Sequence, residues 1–88
     1  MRILEASPYF EKRVSKFLQY HSQFKARVHV VFELLSKNVF HSSLKTHKLS
    51  GKLQNLYGCN INHYYRIIFG FDAEKVYLYD IGSHDEVY

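Results

Sequence analysis

Cysteine is almost missing from this chain: Cys59 is its only copy in 88 residues. No internal disulfide can form, which suits a reducing compartment. Proline is just as scarce, with Pro8 alone, and the four glycines are scattered. Nothing therefore marks a linker, an internal repeat or a low-complexity tract, and residues 1–88 are expected to make a single domain with one core. No run comes near the roughly 20 apolar residues that cross a bilayer, so no membrane role is expected. The N-terminus carries Glu5 and Pro8 where an export signal needs an unbroken apolar stretch, and a cytoplasmic location is expected. Acidic residues are the minority charge, 8 Asp and Glu against 12 Lys and Arg, and the resulting +4 favours polyanionic or acidic partners. What is plentiful is apolar: 47% of residues, against 23% charged, the balance of a globular chain.

The pattern of those apolar residues predicts α+β. A short strand is expected over residues 1–6, and Ser7-Pro8 is a helix start, with serine as N-cap and proline where its missing N–H costs nothing. Phe10, Val14, Phe17 and Leu18 form one apolar stripe at helical spacing, with Lys12, Arg13 and Lys16 largely outside it. Ser22 is expected to cap a second helix reaching about Lys37, with Phe24, Val28, Val31, Phe32 and Leu35 on its buried face. Helices so closely joined should lie antiparallel as a hairpin. Polar residues 38–43 then break the period, and Gly51 marks a turn. From Ile61 to Phe69 the alternation switches to period two with β-branched and aromatic residues, which predicts a strand; a turn at residues 70–74 and a second, antiparallel strand over 75–81 follow. The expected order is β-α-α-β-β-β, with the helical hairpin on one face of a small, mostly antiparallel sheet and the other face partly open.

Two stretches do not read as packing. The C-terminal end, VYLYDIGSHDEVY, breaks at Gly82 and delivers His84 and Tyr88 to a sheet edge. The segment Lys45-Thr46-His47-Lys48-Leu49-Ser50-Gly51-Lys52-Leu53 is basic and carries a second histidine. His21, His29, His41 and His63 lie outside both stretches and read as surface or packing residues. Asp85 and Glu86 beside His84 have no ligand geometry of their own, so no metal is expected, and Cys59 has no nucleophile motif around it.

His47-Lys48-Leu49-Ser50-Gly51, Tyr65-Arg66-Ile67-Ile68-Phe69 and residues 81–88 (IGSHDEVY) resemble, in that order, the RelE/ParE superfamily of bacterial toxin–antitoxin toxins, and within it the YafQ-like branch. The resemblance covers essentially the whole chain. It implies an endoribonuclease that cleaves mRNA, usually on the ribosome, and is held inactive by a cognate antitoxin in a hetero-oligomer. That chemistry needs a base for the RNA 2′-hydroxyl, an acid for the departing 5′-oxygen and cations for the extra charge on phosphorus, and no cofactor. His84 and His47 are the implied acid and base, in either order. Arg66 matches an arginine common in the superfamily and is an electrostatic candidate, while Tyr88 matches the terminal aromatic that stacks on a base or orients a phosphate. Lys45, Lys48 and Lys52 are placed to meet RNA phosphates. An acidic, disordered antitoxin segment that folds on binding is the partner the basic surface implies. The chain has Asn60 where such relatives often carry a histidine and Tyr64 where they often carry an acidic residue. Two alternatives stay open: a non-enzymatic inhibitor of DNA gyrase, for which the histidine pair would be irrelevant, and an inactive domain of the same fold.

Overall fold

In the computed structural model, residues 1–51 and 55–87 are described. The chain opens with strand β1 (Ile3–Ala6) and turns at once into helix α1 (Pro8–Tyr20). The Ser7 side chain accepts a hydrogen bond from the Phe10 amide at 3.1 Å, and Pro8 occupies the first helical turn, as the Ser-Pro start predicts. α2 (Lys25–Lys37) follows, but Ser22 does not cap it: Ser22–Phe24 is a separate 3-10 turn, and Phe24 precedes the helix with no side-chain cap. The two helices run antiparallel, with Phe10 packing on Phe32 at one end and Phe17 on Phe24 at the other.

Five strands complete one sheet in the order β1-β5-β4-β3-β2, where β2 is His47–Lys48, β3 Tyr57–Asn60, β4 Tyr65–Phe71 and β5 Lys75–Ser83. The pairs are antiparallel except β1 with β5, which run parallel from Ile3 opposite Lys75 to Ala6 opposite Leu78. Both helices cover one face. Phe10, Val31 and Leu35 from the helices meet Cys59, Ile67, Phe69, Val76 and Ile81 from the strands, all buried in one cluster. Each of the larger of these contributes roughly 1.5–3 kcal/mol by leaving water. Arg2 and Ser36 exchange hydrogen bonds of 2.8 and 2.7 Å that fasten β1 to the end of α2.

Of the strand expected over residues 61–69, only 65–69 lie in β4, and 61–64 form the bend that follows β3. The alternation continues through a bend, because Asn62 accepts hydrogen bonds at 2.9 Å from the Tyr64 and Tyr65 amides and reverses the chain between β3 and β4. A bulge at Ile68/Phe69 leaves Tyr79 as an extra residue on β5, and its ring lies over Gly70, 3.4 Å from where a Cβ would stand. Ile68 and Leu49 are buried yet lie outside the main cluster, and Leu49 pairs through its amide with the Leu56 carbonyl. The segment around β2 thus folds over part of the sheet's second face, whose other end carries the half-buried Asn60 and Arg66 and the buried Gly82. Among the described residues no helix is long and apolar enough to cross a membrane.

Candidate functional site

That end of the second face is assembled by the β4–β5 hairpin. Register puts Arg66 between Asn60 on β3 and Gly82 on β5, so all three belong to one row on one face. β5 ends at Ser83, opposite Tyr65, and His84 begins the single-turn helix α3 (His84–Val87). The expected loose polar tail is therefore a strand end and a helical turn, and it aims the imidazole back at the sheet. A guanidinium N–H of Arg66 (Nη1) donates to His84 Nδ1. Because a guanidinium can only donate, Nδ1 is the acceptor and the ring proton sits on Nε2.

His47 lies on the same face. It is opposite Gly58, which is opposite Ile68, two residues along β4 from Arg66. Two strand spacings separate β2 from β4, about 10 Å across the sheet. His47 Nδ1 lies 3.2 Å from the Lys45 carbonyl oxygen, which can only accept, so this nitrogen carries a proton. With both rings neutral, these contacts leave a donor at His84 Nε2 and an acceptor at His47 Nε2. The turn that offers the carbonyl is tight: Lys45 has φ 50, in the left-handed region.

Lys45 and Lys48 are both exposed, but Lys48 follows His47 on β2 and projects to the opposite face. Lys52 and Tyr88, the remaining expected site residues, lie outside the described residues. Asn60 buries its Oδ1 with no hydrogen-bond partner among the described residues, directly opposite Arg66. Among the described residues no group of three or more His, Cys, Asp or Glu side chains is arranged to hold a metal. Cys59 is fully buried, and burial pushes its thiol up to about 12, so it supplies no nucleophile near neutral pH.

Two arginines that no local pattern singles out hold the site in place. Arg27 on α2 donates from Nε to the Ile61 carbonyl at 3.1 Å and from Nη2 to the Ser43 carbonyl at 3.2 Å, which joins the β3–β4 bend to the segment before β2. Arg13 on α1 donates to the Asp80 carboxylate at 2.8 Å and to the Ile81 carbonyl at 3.0 Å. β1 stops opposite Leu78, so Arg13 serves the stretch of β5 edge that no strand covers. Their acceptors lie 34 and 67 residues away, and sequence spacing carries no trace of such pairings.

With this geometry in hand, comparisons with known proteins agree on the fold. No curated protein sequence matches the chain. Among solved structures, the crystal structure of YafQ from E. coli strain BL21(DE3) superposes with a TM-score of 0.85 at 18% identity, covering 100% of this chain and 99% of that one. YafQ in the E. coli DinJ–YafQ toxin–antitoxin complex gives 0.82 at 19% identity, covering 99% and 97%. The Staphylococcus aureus YoeB–YefM complex gives 0.77 at 19%, covering 96% and 98%. The sequence itself matches, over residues 2–88, the family described as bacterial toxin of type II toxin–antitoxin system, YafQ. The chain belongs to the YafQ family of type II toxin–antitoxin toxins.

Proposed function

We propose that this toxin is a cytoplasmic endoribonuclease that cuts mRNA on the ribosome by acid/base catalysis and so stops translation. The observation that carries the reading is the opposed anchoring of the two imidazoles, His84 held through Nδ1 by the Arg66 donor and His47 held through Nδ1 by a backbone carbonyl acceptor. In the proposed step, His47 Nε2 takes the proton of the RNA 2′-hydroxyl. The freed oxygen forms a bond to the adjacent phosphorus, and the P–O5′ bond breaks. His84 Nε2 gives its proton to the departing 5′-oxygen, while the Arg66 guanidinium offsets the charge that builds on the phosphate. The products are a 2′,3′-cyclic phosphate and a 5′-hydroxyl; no water and no metal enters the balance. Tyr88 would stack on or orient the substrate, Lys45 and Lys52 would meet its phosphates, and Lys48, on the opposite face, would act only on RNA that wraps the sheet edge.

The same reading includes a cognate antitoxin. Relatives of this fold have been crystallised with DinJ and with YefM, and the net charge of +4 favours an acidic segment that folds on binding. The pair is expected to co-purify as a hetero-oligomer. Expression of the toxin alone in bacteria should arrest growth and create new mRNA 5′ ends inside open reading frames, and His84→Ala should abolish both. Arrest with intact mRNA and accumulated DNA breaks would replace this reading with gyrase inhibition.

A further inference from the structure

A second concave feature lies beside the proposed site and has no part in the acid/base step. Arg13, Lys16, Phe17, Tyr20 and His21 at the end of α1 face Ile81 and Gly82 of β5 across a small cleft of about 90 Å³. It exists because β1 ends opposite Leu78 while β5 runs on to Ser83, so the helix end overhangs a bare strand edge. Arg13 is engaged by Asp80 and the Ile81 carbonyl at the cleft floor. Lys16 and Tyr20 are exposed at its mouth, Tyr20 at 69%. The His21 ring is held in the wall at a tilt, its centroid 4.7 Å from both Phe17 and Tyr65.

Gly82 joins this cleft to the site. It lines the cleft, and it also occupies the Asn60–Arg66–Gly82 row, two residues before His84. Two residues of extended chain span about 7 Å, and Gly82, itself buried, adds no side chain between the two surfaces. We propose that the cleft is a flanking-nucleotide subsite: RNA leaving Arg66 and His84 crosses the β5 edge, stacks its next base on Tyr20 or His21, and sets its next phosphate against Lys16. Fixed rings beside a lysine suit any base, since every base offers a π-face, so the subsite adds affinity without choosing sequence. This deepens the endoribonuclease reading and rests on it.

The test uses fully 2′-O-methyl RNA, which has no 2′-hydroxyl to react, as a trinucleotide and as a hexanucleotide, with binding followed by fluorescence anisotropy. The native chain should bind the hexanucleotide about tenfold more tightly than the trinucleotide. A Lys16→Ala/Tyr20→Ala variant, altered only at exposed positions and checked for an unchanged melting curve, should lose that length advantage while binding the trinucleotide as the native chain does. Arg66→Ala should instead weaken both lengths. An intact length advantage in the double variant overturns the subsite, and so does equal loss on both lengths. Undiminished hexanucleotide binding together with weakened binding of an oligoglutamate peptide overturns it in favour of a protein-docking surface. If the native chain binds neither RNA, the subsite falls alone; if the toxin also leaves mRNA uncut with ribosomes supplied, the endoribonuclease reading falls with it.

Discussion

Replacing Cys59 by alanine should flatten the alkaline limb of the stability profile. The thiol is fully buried between Ile67 and the helices, and burial lifts its ionisation from an ordinary 9.0 to about 12. In the unfolded chain the thiol loses its proton near 9, whereas in the folded chain it keeps it. Stability from this group is therefore whole below pH 9 and drains away as pH rises toward 12. Between pH 7 and pH 10 the linkage amounts to about 1.4 kcal/mol, from the ratio of ionised populations in the two states. Urea unfolding at the two pH values reads it directly: the native chain should lose about 1.4 kcal/mol more than Cys59→Ala. The eight tyrosines also ionise in this range, but they are common to both proteins and cancel in the difference. At pH 7 the variant should be weaker by about 1 kcal/mol, for the small void left behind. Equal losses from pH 7 to pH 10 in the two proteins would refute the reasoning, because a thiol with that insensitivity is not enclosed by the sheet and α2.

Arg66→Ala should lower RNA cleavage by about 10²–10³-fold, and Arg66→Lys should not restore it, since an ammonium lacks the planar fork that serves both imidazole and phosphate. Replacing Lys45, Lys48 and Lys52 together by glutamine should reduce the log–log salt slope of RNA binding by up to about 0.7 for each phosphate left without its lysine, and an unchanged slope would leave them as ordinary surface. At the β4–β5 turn, Asp72 accepts from the Glu74 and Lys75 amides and from the Tyr77 hydroxyl, which hold its carboxyl below the ordinary 3.8. Its contribution is present above that value and lost as pH falls through the lower folded one. Asp72→Asn keeps an oxygen for the turn but should show a shallower fall in Tm on acidification below pH 4.

Much of this molecule was legible because its helices bury one stripe each: Phe10 and Phe17, then Val28, Val31 and Leu35, stand at helical spacing and all reach the core. The Ser7-Pro8 start was equally readable, since a cap is a local device. The β3–β4 bend was not. Ile61 and Tyr65 fall in step with the following strand, so the period-two pattern runs unbroken across a reversal made by one asparagine side chain. Ser22 offered a good cap residue, but Phe24 turns inward to pack on Phe17 and Tyr65, and the helix begins after it. The site followed the same division. His47, Arg66 and His84 stood out by residue type and by family resemblance. The Arg66–His84 contact depends on hairpin register, and the cleft at the end of α1 depends on where β1 stops short of β5; neither has a signature in sequence spacing. His21, which reads as a packing residue, does pack, and in doing so it forms the wall of that cleft.

The chemistry of the cut ends tests the proposed cleavage most directly. RNA cleaved by the purified toxin, with ribosomes supplied, should carry 5′-hydroxyl termini that accept phosphate from polynucleotide kinase without prior phosphatase treatment, and 2′,3′-cyclic phosphates on the upstream fragments. His84→Ala should yield neither. Cleavage that leaves 5′-phosphates would mean that water and not the 2′-hydroxyl is the nucleophile, and would contradict the proposed roles of His47, Arg66 and His84.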